Sequence, residues 1–297
     1  MDLLIKTILQ KFHKKYPYIL IDEIVDYLAI FGGLEDNIEL KLFKDLEASI
    51  IDTITKLDIE SIFPFFILDE PFRKLLITLA RGDGRVNSIF NKISVGENFG
   101  GELVEELIDT DIIYVKQSRE APLRAYPKQL IKRELRGYTI GAKLYFTKPF
   151  YRFWFAFVEP NRNRYGEINI DEVLKSYKKY GYRLSSLLFE QLSLELLMQD
   201  CNLKDDKCEC GSYWDRYSEF DIYCQCSSGN IVAECKYTNR PITKAELSKL
   251  ESKIIQSSLI YSKIALFSKS GFSQELIKLK KENLLLYTIE DLSKLLT

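Results

Sequence analysis

Residues 219–237 read EFDIYCQCSSGNIVAECKY, and the pattern of this stretch indicates the structure of the C-terminal part of the chain. Its two arms are rich in β-branched, aromatic and cysteine residues, a composition that favours β-strands. Between the arms, the segment Ser227-Ser228-Gly229-Asn230 is typical of a tight turn. The stretch therefore predicts a β-hairpin.

The alternation of side chains along this hairpin separates charged residues from apolar ones. A turn of two or four residues would place Asp221 opposite Lys236 and Tyr223 opposite Glu234. Asp221, Glu234 and Lys236 would then share one face of the hairpin. The other face would be apolar, with Phe220, Ile222, Cys224, Cys226, Ile231, Ala233, Cys235 and Tyr237. Because a one-residue slip would bury the charges, the register is well specified.

The charged trio has the composition of a metal site. Two carboxylates a few ångströms apart bind a hard divalent cation such as Mg²⁺ or Mn²⁺. A lysine beside them can position a water molecule or stabilise charge that develops on a phosphate. The alternative is an amphipathic hairpin whose charges are solvated. The pattern by itself leaves both interpretations open.

The order of an Asp, a hairpin turn and then Glu-x-Lys resembles the PD-(D/E)xK nuclease superfamily, with Asp221, Glu234 and Lys236 at the matching positions. The resemblance implies that an acidic residue on the preceding helix joins the metal site. Glu190, in the segment LLFEQLSLELL, matches that place best, and Glu195 is the alternative. Either could instead be a solvated helix charge.

Three further segments extend the resemblance. They are TIGAKLYFTKPFYRFWFAFVEPN at 139–161, IVAECKYTN at 231–239 and IALFSKSGFSQEL at 264–276. Together they look like the C-terminal region of the archaeal-type ATPase family, which implies a winged helix followed by a PD-(D/E)xK-like domain over roughly residues 66–296. The P-loop motif G-x-x-x-x-G-K-[ST] does not occur in the chain, so we expect no bound nucleotide. An ATPase would have to be a separate partner.

The N-terminal segment, residues 1–66, has an acidic charge balance and a helical pattern of apolar residues. The chain of 297 residues has a net charge of −1, so its surface as a whole is not that of a basic nucleic-acid binder. Residues 1–70 alone hold 14 acidic and 7 basic side chains. Apolar residues recur there every three or four positions, which predicts helices. We interpret the segment as a packing or docking module for a protein partner.

Residues 67–148 predict three helices and then two strands, the order of a winged helix-turn-helix. In that fold the third helix often enters the major groove and the wing contacts the DNA backbone. A basic segment separates the two predicted strands, and we expect it to contact phosphates. Its candidate contact residues are Arg119, Arg124, Lys128, Lys132, Arg133 and Arg136. The alternatives are a helical domain for protein contact, or charges that balance the acidic N-terminal helices.

Residues 149–297 begin with the aromatic run FYRFWFAF at 150–157, which we interpret as a buried connecting helix rather than a base-stacking platform. Helix and strand patterns alternate beyond it and predict a mixed sheet with helices on its faces. The expected fold class is α/β, or α+β overall. It combines the helical segment, the winged helix-turn-helix and a restriction-endonuclease-like sheet in this third domain.

Cysteines, histidine and hydropathy limit the chemistry further. All six cysteines lie between Cys201 and Cys235, and two Cys-x-Cys motifs among them leave a four-thiolate metal site open, although zinc sites favour longer spacing. The hairpin register instead predicts that Cys224, Cys226 and Cys235 are reduced core residues.

Because His13 is the only histidine, catalysis by a histidine base is not expected. No signal peptide or membrane-spanning apolar run is visible, so we expect a cytoplasmic protein without membrane association.

These patterns support three functional hypotheses. The first is a Mg²⁺-dependent DNA endonuclease in which Asp221 and Glu234 hold the metal and Lys236 positions the attacking water. The second is a non-catalytic DNA-binding or regulatory protein. The third is an adaptor of a separate ATPase that docks through the N-terminal helices. An intact charged trio favours the first hypothesis only in part, so enzymatic activity itself stays open.

Overall fold

The chain has an α+β fold, as the sequence predicted. The computed structural model describes residues 3–34, 39–124, 126, 128–135, 140–203, 207–279 and 281–296. The chain forms two compact units. The first comprises residues 1–115, 144–195 and 292–297, and the second comprises 116–143 and 196–291. Within the described ranges, every helix is too short or too polar to cross a lipid bilayer.

The N-terminal segment is helical, as its periodicity predicted. Its helices are α1 (Leu3–Lys15), α2 (Ile21–Phe31) and α3 (Leu46–Lys56). Helix α2 directs an apolar stripe inward, and Leu28 and Phe31 are almost fully buried. Asp45 caps α3, because its carboxylate accepts the backbone N–H of Glu47 at 3.0 Å.

Three more helices and a small sheet follow in the first unit. They are α4 (Phe72–Arg81), α5 (Val86–Ile93), α6 (Glu97–Asp109), β1 (Ile113–Lys116) and β2 (Lys143–Phe146). This is the expected order of elements, and the winged-helix assignment stays a prediction. Gly84 permits a close approach to β2: Leu144 N–H donates to its carbonyl at 2.8 Å, and a Cβ there would lie 2.7 Å from Leu144 O.

The aromatic run forms helix α7 (Pro149–Phe153), which continues as a π-helical turn (Trp154–Val158) and a 3₁₀ turn (Glu159–Asn161). Its buried aromatic side chains are Phe150, Tyr151, Phe153, Trp154, Phe155 and Phe157. The interpretation as a buried connecting helix is therefore confirmed. Phe63 packs its ring 5.2 Å from that of Phe155, so the N-terminal segment and the aromatic helix share one core. The predicted domain boundaries at 66 and 148 stay predictions.

A buried carboxylate ties the aromatic run to α4. Glu159 is almost inaccessible to solvent, and it accepts hydrogen bonds from Arg73 Nε at 2.7 Å and from Trp154 Nε1 at 3.1 Å.

Helices α8 (Ile170–Tyr180) and α9 (Tyr182–Asp200) follow. Helix α8 was not predicted, although the Asn169 side chain marks its start by accepting the N–H of Glu172.

The second unit contains a five-stranded mixed sheet. In sheet order its strands are β3 (Glu209–Trp214), β4 (Glu219–Gln225), β5 (Ile231–Lys236), β6 (Lys263–Ser268) and β7 (Leu284–Thr288). The pairs among β3, β4 and β5 are antiparallel, whereas β6 pairs in parallel with both β5 and β7. Helices α10 (Lys244–Gln256) and α11 (Gln274–Ile277) lie in the parallel connections. The mixed sheet was predicted, whereas β3 was not.

The hairpin of β4 and β5 forms as predicted, but its register is shifted by two residues. Tyr223 pairs with Val232, not with Glu234. The turn explains the difference, because the backbone N–H of Cys226 donates to the side-chain oxygen of Asn230 at 3.2 Å. This local bond keeps residues 226–230 out of the ladder, so the strands begin to pair further from the turn.

Four of the six cysteines form disulfides between the β3 region and the β4 region. Cys208 pairs with Cys226, and Cys210 pairs with Cys224. The expectation that Cys224 and Cys226 are reduced core residues is therefore wrong. The register of β3 and β4 accounts for the pairing, because Cys210 lies directly opposite Cys224 with the Cα atoms 4.1 Å apart. Cys235 is buried and takes part in neither disulfide, as predicted.

Candidate functional site on strands β4 and β5

The hairpin brings the predicted charged trio to one face of the sheet. The paired residues Tyr223 and Val232 both belong to the apolar core that includes residues of α10. Asp221 lies two positions before Tyr223, and Glu234 lies two positions after Val232. Because side chains alternate along a strand, both carboxylates continue the same face, and Lys236 follows two positions further on. A register shift of two residues preserves this face, which is why the expected grouping survives it.

Asp221 is held by the backbone of β5. Its Oδ2 atom accepts the N–H of Cys235 at 2.7 Å, next to the last residues of the β4–β5 ladder. Burial and, less strongly, the neighbouring charge of Glu234 raise the pKa of Asp221 to about 7, against the opposing effects of the Cys235 bond and of two lysine charges. The two carboxylates therefore interact electrostatically, as a shared cation site requires.

Two lysines contact the other carboxylate. Lys236 Nζ lies 2.5 Å from Glu234 Oε1, and Lys253 Nζ lies 3.3 Å from Glu234 Oε2. Burial lowers the pKa of Lys236, but its bond to Glu234 and the charge of Glu234 outweigh this, so the net shift is upward. Both ammonium groups thus contact the carboxylate of Glu234.

Lys253 is a further candidate site residue that the sequence did not indicate. It lies on α10, and its ammonium group also donates to the carbonyl of Glu219 at 3.3 Å and lies 5.9 Å from the ring of Phe220. In the sequence it is one of several lysines along an amphipathic helix. Only the packing of α10 on the sheet brings it to Glu234, so no local pattern indicates its role.

The donor set of the hairpin fits a hydrated divalent ion. Asp221 is a buried carboxylate whose ionisation is opposed by its surroundings, and a divalent cation would offset that cost. Among the described residues, no group of three or more His, Cys, Asp or Glu side chains has the arrangement of a metal centre. Asp221 and Glu234 would therefore be the protein ligands, and water or substrate oxygen would supply the rest of the coordination sphere, as is usual for Mg²⁺.

The expected third carboxylate is placed in the first compact unit, whereas the charged trio is in the second. Glu190 lies on α9, where its charge raises the pKa of Arg152 against the larger, opposing effect of burial. Glu195, the alternative, is almost fully buried on the same helix. The membership of either residue in the site stays a prediction.

One of the expected DNA-contacting residues is bonded to the sheet. The guanidinium of Arg119 donates to the carbonyls of Glu209 at 2.8 Å, Gly211 at 3.1 Å and Tyr223 at 2.7 Å. Burial lowers the pKa of Arg119. These three bonds attach the basic segment to the strand that carries Asp221, and a contact of Arg119 with phosphate stays a prediction.

The other basic candidates divide into two groups. Arg124, Lys128, Lys132 and Arg133 are exposed, as a contact with phosphate requires. Arg136 lies outside the described residues. Tyr126 and Leu130 are also exposed in this segment, at 61% and 90% of their accessible surface. The segment therefore presents cationic and apolar side chains together.

Comparison with known proteins finds a matching family for only part of the chain. Residues 154–254 match the model of a family described as archaea bacterial proteins of unknown function, DUF234. No curated protein and no solved structure matches the chain. The matched segment runs from the aromatic run to α10 and includes both hairpin strands. It is compatible with the C-terminal domain that the sequence resemblance implied, and it assigns no activity.

Proposed function

We propose that the protein is a Mg²⁺-dependent deoxyribonuclease that hydrolyses phosphodiester bonds at the β4–β5 hairpin. The observation that carries the proposal is the hydrogen bond from the Cys235 N–H to Asp221, which fixes one carboxylate beside the Glu-x-Lys segment. The raised pKa of Asp221 adds support, because perturbed carboxylates concentrate at functional sites.

In this proposal each residue of the hairpin has a distinct role. Asp221 and Glu234 bind the divalent ion, which would supply Lewis acidity and lower the pKa of a bound water. Lys236 orients the attacking water through its ammonium group. Lys253 faces the same carboxylate from α10, where its charge would stabilise negative charge on the phosphate.

The basic segment would hold the DNA backbone. Its exposed members belong to the same compact unit as the charged trio. Arg119 supports this arrangement indirectly, because its bond to the Tyr223 carbonyl anchors the segment to β4, two residues from Asp221. Phosphate contacts of this kind would be independent of base sequence and sensitive to salt. The winged helix remains a second candidate for DNA contact.

The test is cleavage of supercoiled plasmid and of single-stranded DNA by the purified chain with Mg²⁺ or Mn²⁺. Asp221→Asn and Lys236→Ala should each lower the rate by about a hundredfold or more, the usual range for a group that acts in the chemical step. Lys244→Ala is the matched control, because Lys244 is an exposed lysine on α10 that pairs with Glu275. Cleavage that persists in Asp221→Asn, or that Lys244→Ala abolishes equally, would reject the proposal.

One observation favours a non-catalytic alternative. Both oxygens of Glu234 are engaged by ammonium groups, Oε1 by Lys236 and Oε2 by Lys253. A carboxylate neutralised in this way can serve as a structural ion pair in a DNA-binding or regulatory protein, or in an adaptor of a separate ATPase. For that alternative, DNA binding would be unaffected by Asp221→Asn, and no cleavage would appear with either metal.

A further inference from the structure

The first compact unit contains a cavity that plays no part in the proposed function. The cavity has a volume of about 380 Å³ and is lined by α4, the π-helical turn after α7, α8 and α9. Its floor is apolar and buried, with Ala80, Phe157 and Leu184. Its rim carries exposed polar groups, chiefly Arg81, Tyr180 and Arg183. The volume falls within the range of pockets for small organic ligands.

The two arginines of the rim contact neutral groups. Arg81 Nε donates to the carbonyl of Ala156 at 3.0 Å, and burial lowers the pKa of its guanidinium. Arg183 lies 5.2 Å from the ring of Tyr180. Among the residues that the structure describes, neither guanidinium forms an ion pair. Both have donors left over, since a guanidinium carries five N–H groups.

A third guanidinium interacts with Arg183. Arg152 donates to the carbonyl of Gly82 at 3.5 Å, and within the described ranges its buried Nε atom has no hydrogen-bond partner. Its pKa is lowered by burial and also by the charge of Arg183, and Glu190 is the carboxylate that opposes these effects. The charges of Arg152 and Arg183 therefore repel each other, and an anion bound beside Arg183 would offset that repulsion.

We propose that this cavity binds a planar aromatic ligand that carries a phosphate group, of the nucleoside monophosphate class, although the missing P-loop motif led us to expect no bound nucleotide. The planar ring would occupy the apolar floor against Phe157. The phosphate would lie at the rim, where guanidinium groups form charge-assisted and often bidentate hydrogen bonds with phosphate oxygens. The double negative charge of a monophosphate matches the two arginines that have no ion pair.

The experiment is calorimetric titration of the full chain with AMP, adenosine and inorganic phosphate at low ionic strength. AMP should bind, and adenosine and phosphate alone should each bind more weakly. The Arg183→Gln substitution should raise the dissociation constant of AMP by about tenfold or more. The matched control is Arg164→Gln, because Arg164 also lies over a neighbouring ring, that of Tyr165 at 4.7 Å, but does not line the cavity. AMP affinity should be unchanged in that variant.

Several results would overturn the proposal. They are the absence of AMP binding at millimolar concentration, phosphate that binds as tightly as AMP, and equal losses in Arg183→Gln and Arg164→Gln. If the Arg183→Gln substitution weakens the binding of a short DNA duplex but not that of AMP, the arginines contact nucleic acid instead. Arg81→Gln removes the bond to Ala156 and so risks the fold, which is why the exposed Arg183 decides the test. The cleavage assay is independent of this titration, so either proposal can fail alone.

Discussion

The carboxylate of Asp221 accepts a hydrogen bond from the backbone N–H of Cys235, with 2.7 Å between the oxygen and the nitrogen. Cys235 is the central residue of the Glu-x-Lys segment, so this bond fixes Asp221 between Glu234 and Lys236. It is also one of the few interactions that favour the ionised form of Asp221 against burial. The bond therefore both positions the carboxylate of Asp221 and lowers its pKa.

The first prediction concerns pH and stability without metal. The pKa of Asp221 rises from 3.8 to about 7 on folding, so between these values the folded chain binds more protons than the unfolded chain. Its contribution to the free energy of unfolding therefore falls as pH rises from about 4 to about 7, by at most about 1.4 kcal/mol per pH unit. Asp221→Asn should remove this dependence, as urea unfolding with EDTA would measure.

Glu282→Gln, at an exposed site in the same unit, provides the control for that series. Its pH profile should follow that of the native chain. A native chain whose stability does not fall relative to Asp221→Asn across this pH range would contradict the assignment of a raised pKa to Asp221.

The second prediction concerns metal affinity. Lys253 competes with a cation for Glu234, so Lys253→Ala should tighten Mn²⁺ binding, measured by electron paramagnetic resonance. The gain should reach at most about fivefold, because a partly exposed ion pair contributes about 0.2–1 kcal/mol. Lys244→Ala, on the same helix, should leave the Mn²⁺ dissociation constant unchanged. Equal affinities in all three proteins would show that Lys253 does not act on the metal site.

The third prediction separates structural from DNA-contacting basic residues. Arg119→Ala leaves three carbonyls without their charged donor, so it should lower the free energy of unfolding by about 2 kcal/mol or more. Lys128→Ala, at an exposed position, should change stability by less than about 0.5 kcal/mol. Urea unfolding compares the two. A stable Arg119→Ala protein would argue against the anchoring role.

The fourth prediction concerns the exposed basic side chains and DNA. Replacing Lys132 and Arg133 together by Ala should weaken binding to unrelated duplexes by similar factors and flatten the salt dependence, because fewer condensed counterions are released. Fluorescence anisotropy over a salt series measures both effects. Unchanged DNA affinity with reduced thermal stability would instead identify the segment as an internal docking surface.

The fifth prediction concerns the thiols. The chain denatured without reductant should react with maleimide at Cys201 and Cys235 only, because the other four cysteines are paired. After reduction all six should react, and peptide mass spectrometry distinguishes the sites. Labelling of Cys210 or Cys224 before reduction would contradict the cross-strand pairing.

Local sequence was sufficient for several features of this protein. The alternation in residues 219–237 predicted the hairpin and placed Asp221, Glu234 and Lys236 on one face, since the two-residue period survives a register shift of two. Helical periodicity predicted α1 to α3, and the density of aromatic residues predicted the buried α7. Each of these depends on neighbours along the chain.

Other features depend on segments that are distant in the chain. The pairing of β3 with β4 set the disulfides. The packing of α10 brought Lys253 to Glu234, and the strand carbonyls took up the donors of Arg119. A lysine or arginine has the same local pattern whether it faces solvent, a carboxylate or a carbonyl. Only the position of the partner, fixed by packing of residues far apart in sequence, distinguishes these roles.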